Sequence, residues 1–178
     1  FSLISGFESQ SGSSNALGTN SDFWFFITHS QYKPESLNFS TAALNVRLNR
    51  LAKVLPIPIA ISNSRGYNTL KLNSKAGGSN ISIEKNYNLE QGVWTDTIDN
   101  LVIEGFNPPT HLKIDVDGVE IKILEGAKNT LPSVESILIE TEEHKIEQVI
   151  NILAEYNFKL SSQHKRMVPG IFNLIFFK

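Results

Sequence analysis

The run His111-Leu112-Lys113-Ile114-Asp115-Val116-Asp117-Gly118-Val119-Glu120 continues as Ile121-Lys122-Ile123-Leu124-Glu125-Gly126-Ala127. A short apolar strand ends in two acids and a glycine, and an amphipathic helix starts at once. Strand, turn and helix in that order form the front of a βαβ unit. The acids then stand at the carboxyl end of a parallel strand, the edge where open α/β sheets bind their ligands.

The neighbouring sequence extends this unit in both directions. Val119–Leu131 reads as the helix, with Ile121, Leu124 and Leu131 inward, Asp117 as its N-cap and Pro132 as its stop. Ser136–Glu140 reads as the next strand. Lys145–Phe158 is a helix carrying Ile146, Val149, Ile150, Leu153 and Tyr156 at helical spacing. Gly170–Phe177 is a closing strand, paired with one near Lys159–Gln163. Upstream, the aromatic run Phe23–Thr28 suits a buried strand. Pro34 opens a helix from Glu35 to about Leu51, with Leu37, Leu44, Leu48 and Leu51 on one face. Ile57–Ile61 is a strand that Pro58 assigns to an edge or a terminal position. Asn63–Gly66 is a turn, Tyr67–Leu72 alternates like an antiparallel strand, and Lys75–Asn80 is a loop. Val93–Ile98 is a short strand followed by a brief helical segment through Val102. Residues 1–22 read as a loop-like lead-in, rich in Ser, Gly and Asn from residue 5 onwards. The expected architecture is one α/β domain over 1–178, its sheet mostly parallel with a C-terminal antiparallel hairpin.

Composition narrows the function. The 178 residues suit one domain with a sizeable core, and the formal charge of −2 argues against a nucleic-acid partner. There is no cysteine, which removes disulfides, thiolate metal sites and a cysteine nucleophile. No apolar run approaches the roughly 18–20 residues of a bilayer span. The opening Phe1-Ser2-Leu3-Ile4-Ser5 lacks the basic and apolar regions of a signal peptide, so a cytoplasmic location is expected. No Gly-x-Ser-x-Gly elbow supports serine hydrolysis.

Five collinear segments carry a resemblance. Lys113–Ala127 strongly resembles the signature of FkbM-type methyltransferases, a strand ending in Asp-Val-Glu/Asp-Gly, then Glu, then a helix with Leu-x-Gly-Ala. Ser136-Ile137-Leu138-Ile139-Glu140 is similar to that family's next strand. Tyr32–Phe39, with Leu44-Asn45, resembles its Phe-Glu-Pro-x-x-x-Asn segment. Ile59-Ala60-Ile61-Ser62-Asn63 with Gly66 resembles its Ala-Leu-Ser-Asp turn, and Thr97-Ile98-Asp99-Asn100-Leu101 its Thr-Leu-Asp-Asp-Leu. The resemblance implies a Rossmann-like class I methyltransferase fold and S-adenosylmethionine as cofactor. It also implies methylation of a hydroxyl on a sugar, glycan or polyketide-like small molecule. Two positions depart from the pattern. No Asp-x-Gly-x-x-x-Gly element precedes Phe23, so an incomplete first βα unit is expected, and Lys33 stands where the family places the acid that holds the ribose hydroxyls.

What the resemblance implies for single residues follows from these matches. Asp115 and Asp117 are the catalytic candidates; either serves as a base if its environment allows, and the plain alternative is that both cap and solvate the helix start. Glu35, Ser62, Asn63, Asp115 and Gly118 are the cofactor-binding candidates, with Glu35 in place of the acid missing at 33. Gly118 permits a tight turn or a close approach to a ligand. Glu120 and Glu140 are the substrate-binding candidates, against the alternative that acids simply favour a helix start. No metal ligands are expected: His144 has no second histidine at ligand spacing. Trp94 reads as core more readily than as cover for a cofactor ring.

Two other readings compete. Ile114–Val119 also looks like the Asp-x-Asp-Gly motif of haloacid-dehalogenase-like phosphatases, in which Asp115 would attack phosphorus with magnesium in support. That motif usually lies near a chain's start, and Glu142-Glu143 is a poor match for its downstream acids. The third reading is a truncated or non-catalytic methyltransferase-like module.

Overall fold

The computed structural model describes residues 24–28, 35–72, 89–116 and 118–178. The lead-in 1–22, Lys33, Asp117 and the loop 75–80 lie outside these residues. The fold is a mixed α/β arrangement with two sheets. Strands β1 (Trp24–Thr28), β5 (His111–Asp115), β6 (Ser136–Glu142), β7 (Lys159–Lys165) and β8 (Ile171–Phe177) make the larger sheet, in the order β1-β5-β6-β8-β7. A smaller sheet holds β2 (Ala60–Ile61), β3 (Gly66–Leu72) and β4 (Leu89–Asp96) in the order β2-β4-β3.

The closing hairpin β7–β8 is present, but the expectation of a mostly parallel sheet is corrected. Three ladders are parallel (β1–β5, β2–β4, β5–β6) and three antiparallel, the antiparallel ones being longer. The cause is topological. After helix α4 (Ile146–Ala154) the chain enters β7 at the sheet's outer edge. It then turns back, so β8 fills the slot between β6 and β7 antiparallel to both. The strand over 57–61 shortens to its last two residues and takes an edge position, as Pro58 requires.

Alternation along the strands divides the larger sheet into two unlike faces. On one, Phe25, Ile27, Leu112, Ile114, Ile137, Ile139, Leu174 and Phe176 pack with Ile123, Leu124, Val149 and Leu153 of the helices in one buried cluster. Burying such a side chain is worth about 1.5–3 kcal/mol, so this face holds the fold together. The other face presents His111, Lys113 and Asp115 of β5, all half-buried, beside Leu138 of β6 and Asn173 and Ile175 of β8.

Two helices differ from expectation. Helix α3 spans only Glu120–Glu125, after which turns lead to a 3₁₀ turn at Leu131–Ser133. Its N-cap position is Val119, without a side-chain cap. Helix α1 (Glu35–Leu48) forms, but Leu44, Leu48 and Leu51 are exposed, Leu48 to 68%. Over 39–48, where the side chains are described, the half-buried residues are instead Phe39, Ala42, Ala43 and Val46, an i, i+3, i+4, i+7 stripe; Leu37 lies outside that range. With apolar residues on two sides of the helix, periodicity alone does not choose the inward one. Among the described residues no helix is long and apolar enough to cross a membrane.

Candidate functional site

The parallel strands β1, β5 and β6 end at one edge, and cross-strand register makes a polar row there. Thr28 is the backbone partner of Asp115. The β5–β6 ladder ends with Ile114 beside Ile139, so the next positions are Asp115 and Glu140. Glu140 pairs with Asn173 of β8, which pairs in turn with His164 of β7. Asp115, Glu140, Asn173 and His164 therefore cross the half-open face of the sheet, spanning roughly 14 Å at about 4.8 Å per strand.

Each carboxylate in the row has a cation. Lys113, two residues before Asp115 and so on the same face, places its Nζ 2.5 Å from Asp115 Oδ2. The two side chains keep 29% and 35% of their surface exposed. Arg166, on the turn between β7 and β8, sets its Nε 3.2 Å from Glu140 Oε2. His111 Nδ1 and Ser136 Oγ lie 2.7 Å apart at the other end of the two strands, four residues before Asp115 on β5.

Just beyond the row, the chain turns from β5 into α3. Gly118 has φ of +88°, which glycine adopts freely. Its N–H donates to Glu120 Oε1 at 2.8 Å. The Glu120 carboxylate is 2% exposed, and Lys145 Nζ stands 3.6 Å from its other oxygen. Lys145 also lies 3.0 Å from Glu142 Oε2, and the exposed His144 lies 3.4 Å from the same oxygen. Among the described residues no three His, Asp or Glu side chains gather as a metal site would need.

Not all of the predicted site residues meet here. Asp115, Gly118, Glu120 and Glu140 stand at this edge; Asp117 lies outside the described residues. For Glu35 only the backbone, at the start of α1, is described. Ser62 and Asn63 are engaged elsewhere. Asn63 Nδ2 donates to Glu125 Oε2 at 2.8 Å, at the far end of α3. That is roughly 7.5 Å along the helix axis from Glu120.

The Ser62–Asn63 contact belongs to a packing joint that absorbs two further motifs. A Cβ on Gly126 would collide with the Ser62 carbonyl and lie 3.2 Å from Asn63 Cα. Asp96 O accepts from Ser62 N at 2.9 Å, and the Asp96 side chain accepts from Thr97 N and Asn100 Nδ2. Thr97 caps helix α2 (Ile98–Ile103) by accepting from Asn100 N at 3.0 Å. Asp99 N donates to Gly126 O, and its carboxylate accepts from Asn129 N, Asn129 Nδ2, Thr130 N and Thr130 Oγ1. Asp99 thereby holds the turn that follows Gly126, just past the end of α3. Trp94 is half-buried on the small sheet, edge-on to Tyr67 at 5.0 Å and beneath Arg65.

Lys113, Lys145, Arg166 and Asn173 were missed by motif reading. Asn173 had a signal, as the lone polar residue in the apolar run Ile171–Phe177. Lys113 had one too, since strand alternation puts it beside Asp115. Arg166 and Lys145 depend on tertiary placement.

No curated protein and no solved structure matches the chain. The family model described as the methyltransferase FkbM domain matches residues 16–160, which take in every strand from β1 to β6, the packing joint, Asp115 and Glu140, while His164, Arg166 and Asn173 lie beyond it. With that much of its length matched, the chain belongs to the FkbM methyltransferase domain family.

Proposed function

We propose that the chain is an S-adenosylmethionine-dependent methyltransferase acting on a hydroxyl of a sugar, glycan or polyketide-like small molecule, in the cytoplasm. Family membership supports methyl transfer, and the observation that carries the cofactor reading is the Lys113–Asp115 pair. S-adenosylmethionine, when bound, supplies a methyl group on an electron-poor sulfonium. Its amino-acid end carries one carboxylate and one ammonium. A part-exposed Lys–Asp pair is the inverse of that zwitterion, so Lys113 would hold the carboxylate and Asp115 the ammonium. The exposed Gly118 backbone leaves room for close approach beside them. Ser62 and Asn63, committed to α3, drop out of the cofactor set.

For the acceptor, the row beside Asp115 supports Glu140 and Asn173. A carboxylate oxygen of Glu140, oriented by Arg166, accepts a hydrogen bond from the acceptor hydroxyl, and the Asn173 amide offers both a donor and an acceptor to a polyol. Catalysis of this kind rests chiefly on proximity and orientation.

The test is calorimetric titration of S-adenosylmethionine into the protein, alone and as Asp115→Asn. Micromolar binding that the substitution weakens by about tenfold, the loss of one charge-assisted contact, is the expected result. No binding by the unsubstituted protein sinks the reading and leaves the non-catalytic module.

A further inference from the structure

We propose that Lys145 is a positioning residue whose ammonium, held between Glu120 and Glu142, sets the conformation of the turn that joins β5 to α3. As an inference about cofactor binding, it rests on the reading above; as one about the turn, it stands on geometry alone.

Glu120 is the starting point. Its carboxylate is almost wholly buried, and a buried charge is tolerated only when it is paired and hydrogen-bonded. One oxygen accepts the Gly118 N–H; the other, Oε2, has no hydrogen-bond partner. The positive charge facing that orphan oxygen is Lys145 Nζ at 3.6 Å. Lys145 is itself anchored from behind by Glu142 at 3.0 Å. The 3₁₀ turn that carries it, Glu143–Lys145, is tied down where Glu143 N donates to Gly170 O at 2.8 Å. A continuous chain of charge thus runs from the end of β6, through Lys145 and Glu120, to the backbone N–H of Gly118.

The turn is shaped to receive it. A Cβ on Gly118 would sit 3.7 Å from Lys145 Nζ, so the turn folds directly over the ammonium. With the cation gone, Glu120 would face a desolvated interior unpaired, and the quickest relief is to swing toward water and release Gly118 N–H. The turn would then lose the bond that holds its left-handed residue beside Asp115.

The experiment measures backbone amide exchange over Val116–Glu120, together with S-adenosylhomocysteine affinity by calorimetry, in the unsubstituted protein, Lys145→Met, Lys145→Arg and Glu142→Gln. Lys145→Met is expected to speed exchange in that segment by about tenfold while β8 stays protected, and Lys145→Arg to remain within about threefold of the original. S-adenosylhomocysteine affinity should fall about tenfold in Lys145→Met and return in Lys145→Arg, a rescue that loss of packing alone does not give. Unchanged exchange in a folded Lys145→Met protein overturns the proposal. If Lys145→Met does not fold, Glu142→Gln decides, with about threefold faster exchange expected and no change overturning. If the unsubstituted protein does not bind S-adenosylhomocysteine, the cofactor reading falls, and the exchange data still judge the role of Lys145 in the turn.

Discussion

Gly118 and Gly126 lie eight residues apart in one signature, yet they answer to different demands. Gly118 sits at an edge with φ of +88° and open space around it except for Lys145. Gly126 has an ordinary φ of −82° and no space at all, because Ser62 and Asn63 press on it. The first is a glycine for the conformation it permits, the second for the atom it lacks. The stretch from Lys113 to Ala127 therefore splits in two. Its first half forms a polar, part-open edge, where the cofactor is proposed to bind, and its second half is one side of a packing joint. Ser62–Asn63 and Thr97–Leu101 supply the other side of that joint. A motif held together in sequence can serve binding at one end and assembly at the other.

The comparison is broken most directly at Gly126. Gly126→Ala forces backbone against backbone, and overpacking of that kind costs about 3 kcal/mol. Set against the usual 5–15 kcal/mol of a domain, that should move the urea midpoint markedly downward. Calorimetric titration of S-adenosylmethionine, carried out below the new transition, should give the same result as with the unsubstituted protein. A neutral substitution would mean that Ser62 can give way and that the joint is loose.

Asp99→Ala attacks the same joint from the other side. It leaves the backbone N–H groups of Asn129 and Thr130, and the Thr130 hydroxyl, without their common acceptor. Water reaches some of these donors, since Asn129 is exposed, so the expected loss is about 2 kcal/mol. The same equilibrium unfolding experiment checks it. A loss under about 0.5 kcal/mol, the range of ordinary surface changes, would show that Asp99 does not organise the turn. In that case the Thr97–Leu101 match would need a role other than assembly.

These two substitutions also mark where sequence reading succeeded and failed. The strands around Asp115 and Ile139 and the helix carrying Val149 and Leu153 were legible because their periodicity reports burial on a single face. The row of acids was legible because a polar residue at the end of an apolar strand is conspicuous. The length of α3 was not, since the turn that follows it is held by Asp99, thirty residues before Asn129 in the chain. Ser62 and Asn63 read as cofactor residues in the sequence, and the contacts they make against α3 left no signal there for a related reason. A polar turn that docks on a helix and one that cradles a ligand use the same residue types, and only the neighbours distinguish them. Leu44 and Leu48 of α1 misled because Phe39, Ala42, Ala43 and Val46 form a second stripe on the same helix. Lys145 has a local partner in Glu142, but its place beside Glu120 left no trace in sequence, because Glu120 comes from the opposite end of the βαβ unit.

The finest test of the contrast is Gly118→Ala. A left-handed backbone costs a residue with a side chain about 1–2 kcal/mol, and the added methyl meets no backbone, only the Lys145 ammonium at 3.7 Å. Stability should therefore fall by less than in Gly126→Ala, for a purely conformational reason. Gly118→Asn separates that cause from simple bulk, because asparagine tolerates the left-handed region better than alanine despite its larger side chain. If strain is the cause, Asn recovers part of what Ala loses in the unfolding midpoint; if space is the cause, Asn is the worse of the two. At Gly126 the order must be the opposite, with Asn more damaging than Ala. Matching orders at the two sites would mean that one constraint governs both glycines, and the division of the signature into an edge and a joint would fail.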